Sequence, residues 1–226
     1  MYDSTMKKAL FRCGVALCGP IALACAMQSP ASSATPPFGM LRYRSIGPAI
    51  AGGRAPAIAG SDADPQVYYA GGAGGGVFKS DDGGASWRPV FDAQSVAPIG
   101  AIAVSPRSSN DVWVGTGEAN PRNTVEEGNG LYHSIDGGKT WRHVGLDDAG
   151  SISTISIDPR NPDVIAVGVL GHIFRDSTMR GVYVSRDGGR NFTRTLYAGP
   201  STGASDIARV PDRPSTMFAG MYQVRR

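Results

Sequence analysis

Apolar residues in this chain come in short runs broken by Gly, Pro, Asp and Ser, and no long segment repeats them every three or four positions outside the first thirty or so residues. Nearly continuous short apolar runs suit strands covered on both faces. Ile99, Ala101 and Ala103 with Ile102 and Val104 fit that description, as do Ile152, Ile155 and Ile157. The pattern also repeats. AIAVSPRSSNDVWVGTGE (101–118) matches TISIDPRNPDVIAVGVLG (154–171), a fainter version starts at Pro56, and another, DIARVPDRPSTMFAGMYQ, starts at Asp206. Each copy predicts an apolar strand, a Pro-containing turn, a second apolar strand and a Gly-rich exit.

A second phrase falls between these copies. SDDGGASW runs from Ser80 to Trp87, SIDGGKTW from Ser134 to Trp141, and SRDGGRNF from Ser185 to Phe192, with starts 54 and 51 residues apart. The shared rule is Ser-x-Asp-x-Gly-x-x-aromatic: Ser80, Asp82, Gly84, Trp87; Ser134, Asp136, Gly138, Trp141; Ser185, Asp187, Gly189, Phe192. Such a phrase suits a hairpin tip. The aspartates accept hydrogen bonds from the turn backbone, and the glycines reach positive φ without steric cost. The aromatic residue is expected on the return strand, burying its ring against a neighbouring unit. With the flanking pairs this makes four strands per unit, and a period near 50 residues of short strands reads as a radial or stacked β array.

These residues resemble the Asp-box, or bacterial neuraminidase, repeat of sialidases, sortilin-type domains, xyloglucanase-like propellers and YVTN-type proteins. From about residue 38 onward, including LRYRSIGP and GEANPRN, the chain is most similar to large exported bacterial proteins with sortilin-like Asp-box propellers, often labelled glycosyl hydrolases on fold alone. The resemblance implies an all-β fold, a partial β-propeller of four-stranded antiparallel blades, with Asp-box hairpins capping the outer strands away from the binding face. About three and a half blades are present. The fourth unit reaches Arg226 before its hairpin, which reads as an N-terminal portion of a longer propeller, or else as an open array completed by a partner or by self-association.

The N-terminus changes the picture of location. Lys7, Lys8 and Arg12 precede an apolar run, Cys13 to Met27, and then small residues, the anatomy of an export signal. Expected segments are a signal peptide over 1–34, a linker over 35–40 and the propeller over 41–226. A membrane anchor is the alternative, but the run contains Gly14, Gly19 and Pro20 and is short for a span of roughly 20 residues. Cleavage removes Cys13, Cys18 and Cys25, all the cysteines, so thiol catalysis and a Cys-based zinc site are excluded from the mature chain. It also removes Lys7, Lys8, Arg12 and Asp3, which takes the formal charge from +3 to +1. No clustered basic face suggests nucleic acid. The expected location is periplasmic, cell-surface or extracellular, without a membrane span in the mature chain.

Candidate chemistry sits where loops interrupt the repeat after its second strand. GEANPRNTVEEGNG (117–130) brings Glu118, Asn120, Arg122, Asn123, Glu126 and Glu127; GHIFRDSTMRG (171–181) brings His172, Arg175, Asp176 and Arg180. Equivalent loops of successive blades converge on one channel mouth, so Glu118, Arg122 and His172 are expected as near neighbours, joined by Arg54 from an earlier turn. Glu118 or Glu126 with Asp176 is a conceivable glycosidase pair, which needs carboxylates about 5 to 10 Å apart. The resemblance supplies no support for that: Arg209-Val210-Pro211 lies too far along for a sialidase signature, and no position matches the catalytic aspartates of xyloglucanase-like enzymes. GGAGGG (71–76) lacks the Lys-Ser/Thr of a phosphate loop. Asp62, Asp64, Asp147 and Asp148 do not follow calcium-loop spacing and read as solvated turns. No metal or cofactor is expected. The leading reading is an exported non-catalytic module whose loops recognise peptide, protein or glycan; the alternative is the N-terminal part of a glycoside hydrolase.

Overall fold

The computed structural model describes residues 53–225. The leader, its cysteines, the linker and LRYRSIGP lie outside the described residues.

Three successive four-stranded antiparallel sheets and a final hairpin make up the array. Blade 1 holds β1 (Ala57–Ser61), β2 (Asp64–Gly72), β3 (Gly76–Ser80) and β4 (Arg88–Pro89). Blade 2 holds β5 (Ile99–Ser105), β6 (Ser108–Thr116), β7 (Leu131–Ser134) and β8 (Arg142–Gly145). Blade 3 holds β9 (Ile152–Ile157), β10 (Ile165–Val169), β11 (Gly181–Ser185) and β12 (Thr193–Leu196). β13 (Thr202–Val210) and β14 (Arg213–Gln223) form the half blade 4. Strand order follows chain order in every sheet, and the described residues contain no helix. The chain is an all-β partial propeller.

The core lies between blades. Val112, Val114 and Tyr132 of blade 2 face back onto Tyr69, Val77 and Phe91 of blade 1; Ile165, Val167 and Tyr183 of blade 3 face back onto Trp113 and Leu131 of blade 2. Blade 4 packs Ile207, Met217 and Met221 onto Ala166, Val182 and Val184. One register explains the spacing. The second strand of each blade places a glycine opposite the first strand, in the pairs Ala57↔Gly71, Ala101↔Gly115, Thr154↔Gly168 and Asp206↔Gly220. A β-carbon on Gly71 would lie 2.5 Å from Ile99 Cγ2, and one on Gly115 2.3 Å from Ile152 Cγ2. The missing side chain lets the next blade's inner isoleucine seat against the sheet.

The three Asp boxes are superimposable hydrogen-bond kits. Ser80, Ser134 and Ser185 donate to Oδ1 of Asp82, Asp136 and Asp187 at 2.7, 2.8 and 2.8 Å, and accept from the amides of Gly84, Gly138 and Gly189 at 2.9, 2.8 and 2.9 Å. Each Oδ1 also accepts the backbone N–H of Ser86, Thr140 or Asn191, whose side chains close onto Oδ2. Those hydrogen bonds, from Ser86, Thr140 and Asn191 first, hold all three carboxyls down from 3.8 to about 2. A folded-state pKa below the unfolded one stabilises above the unfolded value, and that contribution disappears as pH falls through the folded value. Circular dichroism on acidification is therefore expected to show stability eroding between about pH 4 and about pH 2. Asp136→Asn is expected to lower stability at neutral pH and to flatten this acid limb; an unchanged limb would refute the assignment.

The aromatic member sits one residue ahead of its strand and behaves differently in each copy. Trp141 donates Nε1–H to Val90 O at 2.7 Å and meets Phe91 edge-on at 5.1 Å, across the boundary between blades 1 and 2. Phe192 packs on the cluster between blades 2 and 3. Trp87 does not bury its ring against a neighbouring unit: it is 37% exposed and donates to Gly84 O of its own hairpin at 3.0 Å, because no described blade precedes blade 1.

Candidate functional site

The two ends of the blades are chemically unlike. At one end each Asp-box hairpin touches the turn between its blade's first two strands or the start of the second: the amides of Gly83, Gly137 and Gly188 donate to the carbonyls of Gln66, Asn110 and Asp163. Arginines bind these turns across blades, Arg107 donating to Arg160 O and Arg160 to Asp212 O at 3.0 Å. Arg209, the residue of the discarded sialidase likeness, donates to Ser156 Oγ and Ser156 O and so ties blade 4 to blade 3. The contacts at this end tie hairpins to their own blades and blade to blade. The loops of residues 117–130 and 171–181 leave from the opposite end.

Two networks organise that end. Arg54, just ahead of β1, grips Glu118 with both branches of its guanidinium, Nε to Oε1 at 2.7 Å and Nη2 to Oε2 at 2.6 Å. Glu118 is 1% exposed and Arg54 about a third exposed, so the pair closes the buried side of the loop against blade 1. The hydrogen bond that Arg54 donates to Glu118 is the main cause raising the Arg54 pKa above its usual value. The loop is pinned elsewhere by Glu118 N–H to Glu126 O, Gly128 N–H to Gly150 O, Asn129 N–H to Thr116 Oγ1 and Ser151 Oγ–H to Glu118 O.

The second network centres on His172, buried between two carboxylates: Glu127 Oε1 is 2.6 Å from Nδ1 and Asp148 Oδ1 is 2.9 Å from Nε2. Arg175 Nη2 stands within 3.2 Å of both ring nitrogens. Below it Arg180 has no exposed surface and donates to the carbonyls of Leu170, His172, Arg175 and Val224. Burial is the main cause pushing its pKa down from the usual arginine value.

Glu118 and His172 meet the same segment, since Ser151 holds the Glu118 carbonyl while a β-carbon on Gly150 would lie 2.8 Å from His172 N. Asn120, Arg122 and Asn123 are exposed on the loop's outer side. Asp176 lies 3.6 Å from Arg225, and Glu118 is taken by Arg54. Asp148, read from sequence as a solvated turn, does lie in an exposed turn and in addition holds His172. The sequence signal was its place in the turn between the last strand of blade 2 and the first of blade 3, which the repeat puts at this end. A shallow hollow of about 280 Å³ opens beside blade 1, lined by Gly74, Gly75, Gly76, Phe91, Asp92 and Gln94 among others.

Removing Arg54 strands an almost wholly buried carboxylate, a change that costs more than removing both charges. Arg54→Met is expected to lower the melting temperature, and Arg54→Met with Glu118→Leu to recover part of the loss. A double variant less stable than either single change would show that the two groups stabilise the loop independently and not as a pair.

Antiparallel blades in chain order, stapled by Ser-Asp-Gly hairpins, define an Asp-box repeat β-propeller. The BNR/Asp-box repeat family matches residues 132–143. Over 96 residues the chain is 32% identical to an oligoxyloglucan-reducing end-specific xyloglucanase of Emericella nidulans, which covers 40% of this chain and 10% of that protein. Its fold is similar to that of an ancestral GH74 enzyme, with a TM-score of 0.62 and 22% identity over 75% of this chain and 22% of the other. The GH74 enzyme of Niastella koreensis gives 0.59 and 23% over 75% of this chain and 26% of the other. The chain thus spans only a tenth to about a quarter of these proteins.

Proposed function

We propose that the chain is an exported, non-catalytic propeller module and that its loop end binds a ligand, with a glycan as the favoured class. The observation that carries this reading is the pinned loop of residues 117–130. Its inner side is fastened by Arg54, Thr116 and Gly150, which holds Asn120 and Arg122 outward at the blade end opposite the Asp boxes. A polar loop held by a rigid scaffold is the usual way propellers and barrels present binding groups. The glycan preference rests on the stretch similar to a xyloglucanase. Export rests on the composition of residues 1–34.

The carboxylates at this end favour binding over hydrolysis. Glu118, Glu127 and Asp148 are each engaged by Arg54 or His172, whereas a general acid must stand free at the scissile bond. The turn Gly72–Gly76 of blade 1 carries no acidic residue. The alternative, part of a glycoside hydrolase, draws on the same stretch of similarity.

Glycan and peptide arrays followed by calorimetry test both. Expected is a glycan that binds wild type, binds Asn120→Ala/Arg122→Ala at least tenfold more weakly, and is recovered without new reducing ends. Binding that survives this double change and also Glu118→Gln with His172→Ala refutes the site. Release of reducing ends from xyloglucan by the purified chain refutes the non-catalytic reading.

A further inference from the structure

The ring of His172 has a carboxylate at each nitrogen. Its side chain is 4% exposed, with Glu127 Oε1 2.6 Å from Nδ1 and Asp148 Oδ1 2.9 Å from Nε2. A neutral imidazole carries one N–H and one lone pair, so it donates to one of these carboxylates and turns a lone pair on the other. Both contacts hold together only when each nitrogen bears a proton. The two carboxylates are partly in solvent, at 39% and 66% exposed, so either can turn to water when its donor is lost.

The surrounding charges decide which contact breaks. Nε2 faces two acceptors, Asp148 Oδ1 and the Asp148 carbonyl at 3.2 Å, whereas Nδ1 faces Glu127. Asp148 also has Arg175 at 3.6 Å. A ring left with one proton therefore keeps it on Nε2, and its bare Nδ1 confronts Glu127, with Arg175 Nη2 at 3.2 Å able to donate to that lone pair. Arg180 addresses the His172 carbonyl. Of the neighbouring acids, Asp147 is turned to His143 at 3.1 Å and Asp176 to Arg225 at 3.6 Å. The ring and its two carboxylates belong to blades 2 and 3, each of which has a described neighbour on either side.

The geometry points to a proton-operated catch on the loop of residues 117–130: His172 holds Glu127 while both ring nitrogens are protonated and releases it when Nδ1 loses its proton. Glu127 lies between two backbone ties of that loop, Glu118 N–H to Glu126 O and Gly128 N–H to Gly150 O. Its release loosens this corner, while the turn that carries Asp148 stays in place. The hold is present at low pH and is lost as pH rises through the titration of the ring. One consequence rests on the proposed function: Asn120 and Arg122 are held outward in acid and freed at higher pH. The catch itself needs no ligand.

Nitrogen-15 NMR with amide hydrogen exchange tests this on the full chain without ligand, from about pH 5 to about pH 9. Exchange of the Gly128 amide, corrected for the intrinsic effect of pH, is expected to quicken at least tenfold with the same midpoint as the His172 ring signals. Nε2 is expected to keep its proton at the upper end. The Ser151 amide, which donates to Ala149 O beside Asp148, is expected to show no step. Glu127→Gln is expected to abolish the Gly128 step, because its amide accepts from a ring N–H through Oε1 and donates to a bare nitrogen through Nε2. A flat wild-type profile, a step away from the ring's midpoint, a step that survives Glu127→Gln, or a proton retained on Nδ1 overturns the inference. A ligand whose affinity ignores pH while the step is present counts against the proposed binding loop and leaves the catch standing.

Discussion

Gly189→Val is expected to cost the chain about 2 to 5 kcal/mol, whereas Gly84→Ala at the equivalent position of blade 1 costs about 1 to 2 kcal/mol. Both glycines have left-handed backbone, φ 78° and 93°, so each substitution bears roughly 1–2 kcal/mol of conformational strain. The difference is what lies above. A β-carbon at 189 lies 2.3 Å from Trp113 Cη2, while one at 84 meets only Trp87 Cζ2 at 3.7 Å. Trp113 cannot yield readily: it is 2% exposed and stacked on His133 at 3.8 Å, with His133 held by Asp111 at 2.8 Å. Overpacking of such a contact adds about 1–3 kcal/mol. Urea unfolding of both variants decides the matter. Equal losses would mean that Asp boxes act only as local turns and do not join blades.

Arg180→Met is expected to be about as severe, near 3 to 5 kcal/mol by the same measurement. The guanidinium serves four carbonyls drawn from blade 3, its loop and the segment after β14. Each buried acceptor left without a donor costs about 1–3 kcal/mol, and relaxation of the loop offsets part of the sum. Arg180→Lys is expected to rescue little, since an ammonium lacks the planar fork that reaches divergent carbonyls at once. If lysine restores wild-type stability, charge rather than geometry holds the loop.

What the sequence revealed followed from locality. Ser80 to Trp87 and its copies announce the hairpins because every bond of the kit spans no more than four residues, and period plus apolar runs then give strands, blades and the glycine-marked register. The fourth position after each Ser, occupied by Gly, was recognised; Ser86, Thr140 and Asn191 were not, because their identities differ although each donates to the same aspartate oxygen. At the loop end the repeat brings Arg54 and Glu118 to one place, but does not name the partners that each side chain takes. Arg54 meets Glu118 across 64 positions, and Arg180 and Arg209 bind backbone carbonyls, which leave no trace in side-chain identity. Trp87 departs from the pattern for a related reason: its phrase matches that of Trp141, but burial depends on a preceding sheet.

The arginine ties between successive turns give the array a mechanical character. Arg107 reaches forward to blade 3, Arg160 forward to blade 4 and Arg209 backward to blade 3, so the last sheet is clamped from both directions, while the first is tied to blade 2 by Tyr69 O–H to Ser109 O, Trp141 Nε1–H to Val90 O and the Arg54–Glu118 pair. Stretched by its ends in a single-molecule pulling experiment, the chain should give way blade by blade, because every neighbouring pair is tied. Each four-stranded sheet should then pay out roughly 180 Å of contour, from a period of 54 or 51 residues at about 3.3–3.6 Å each.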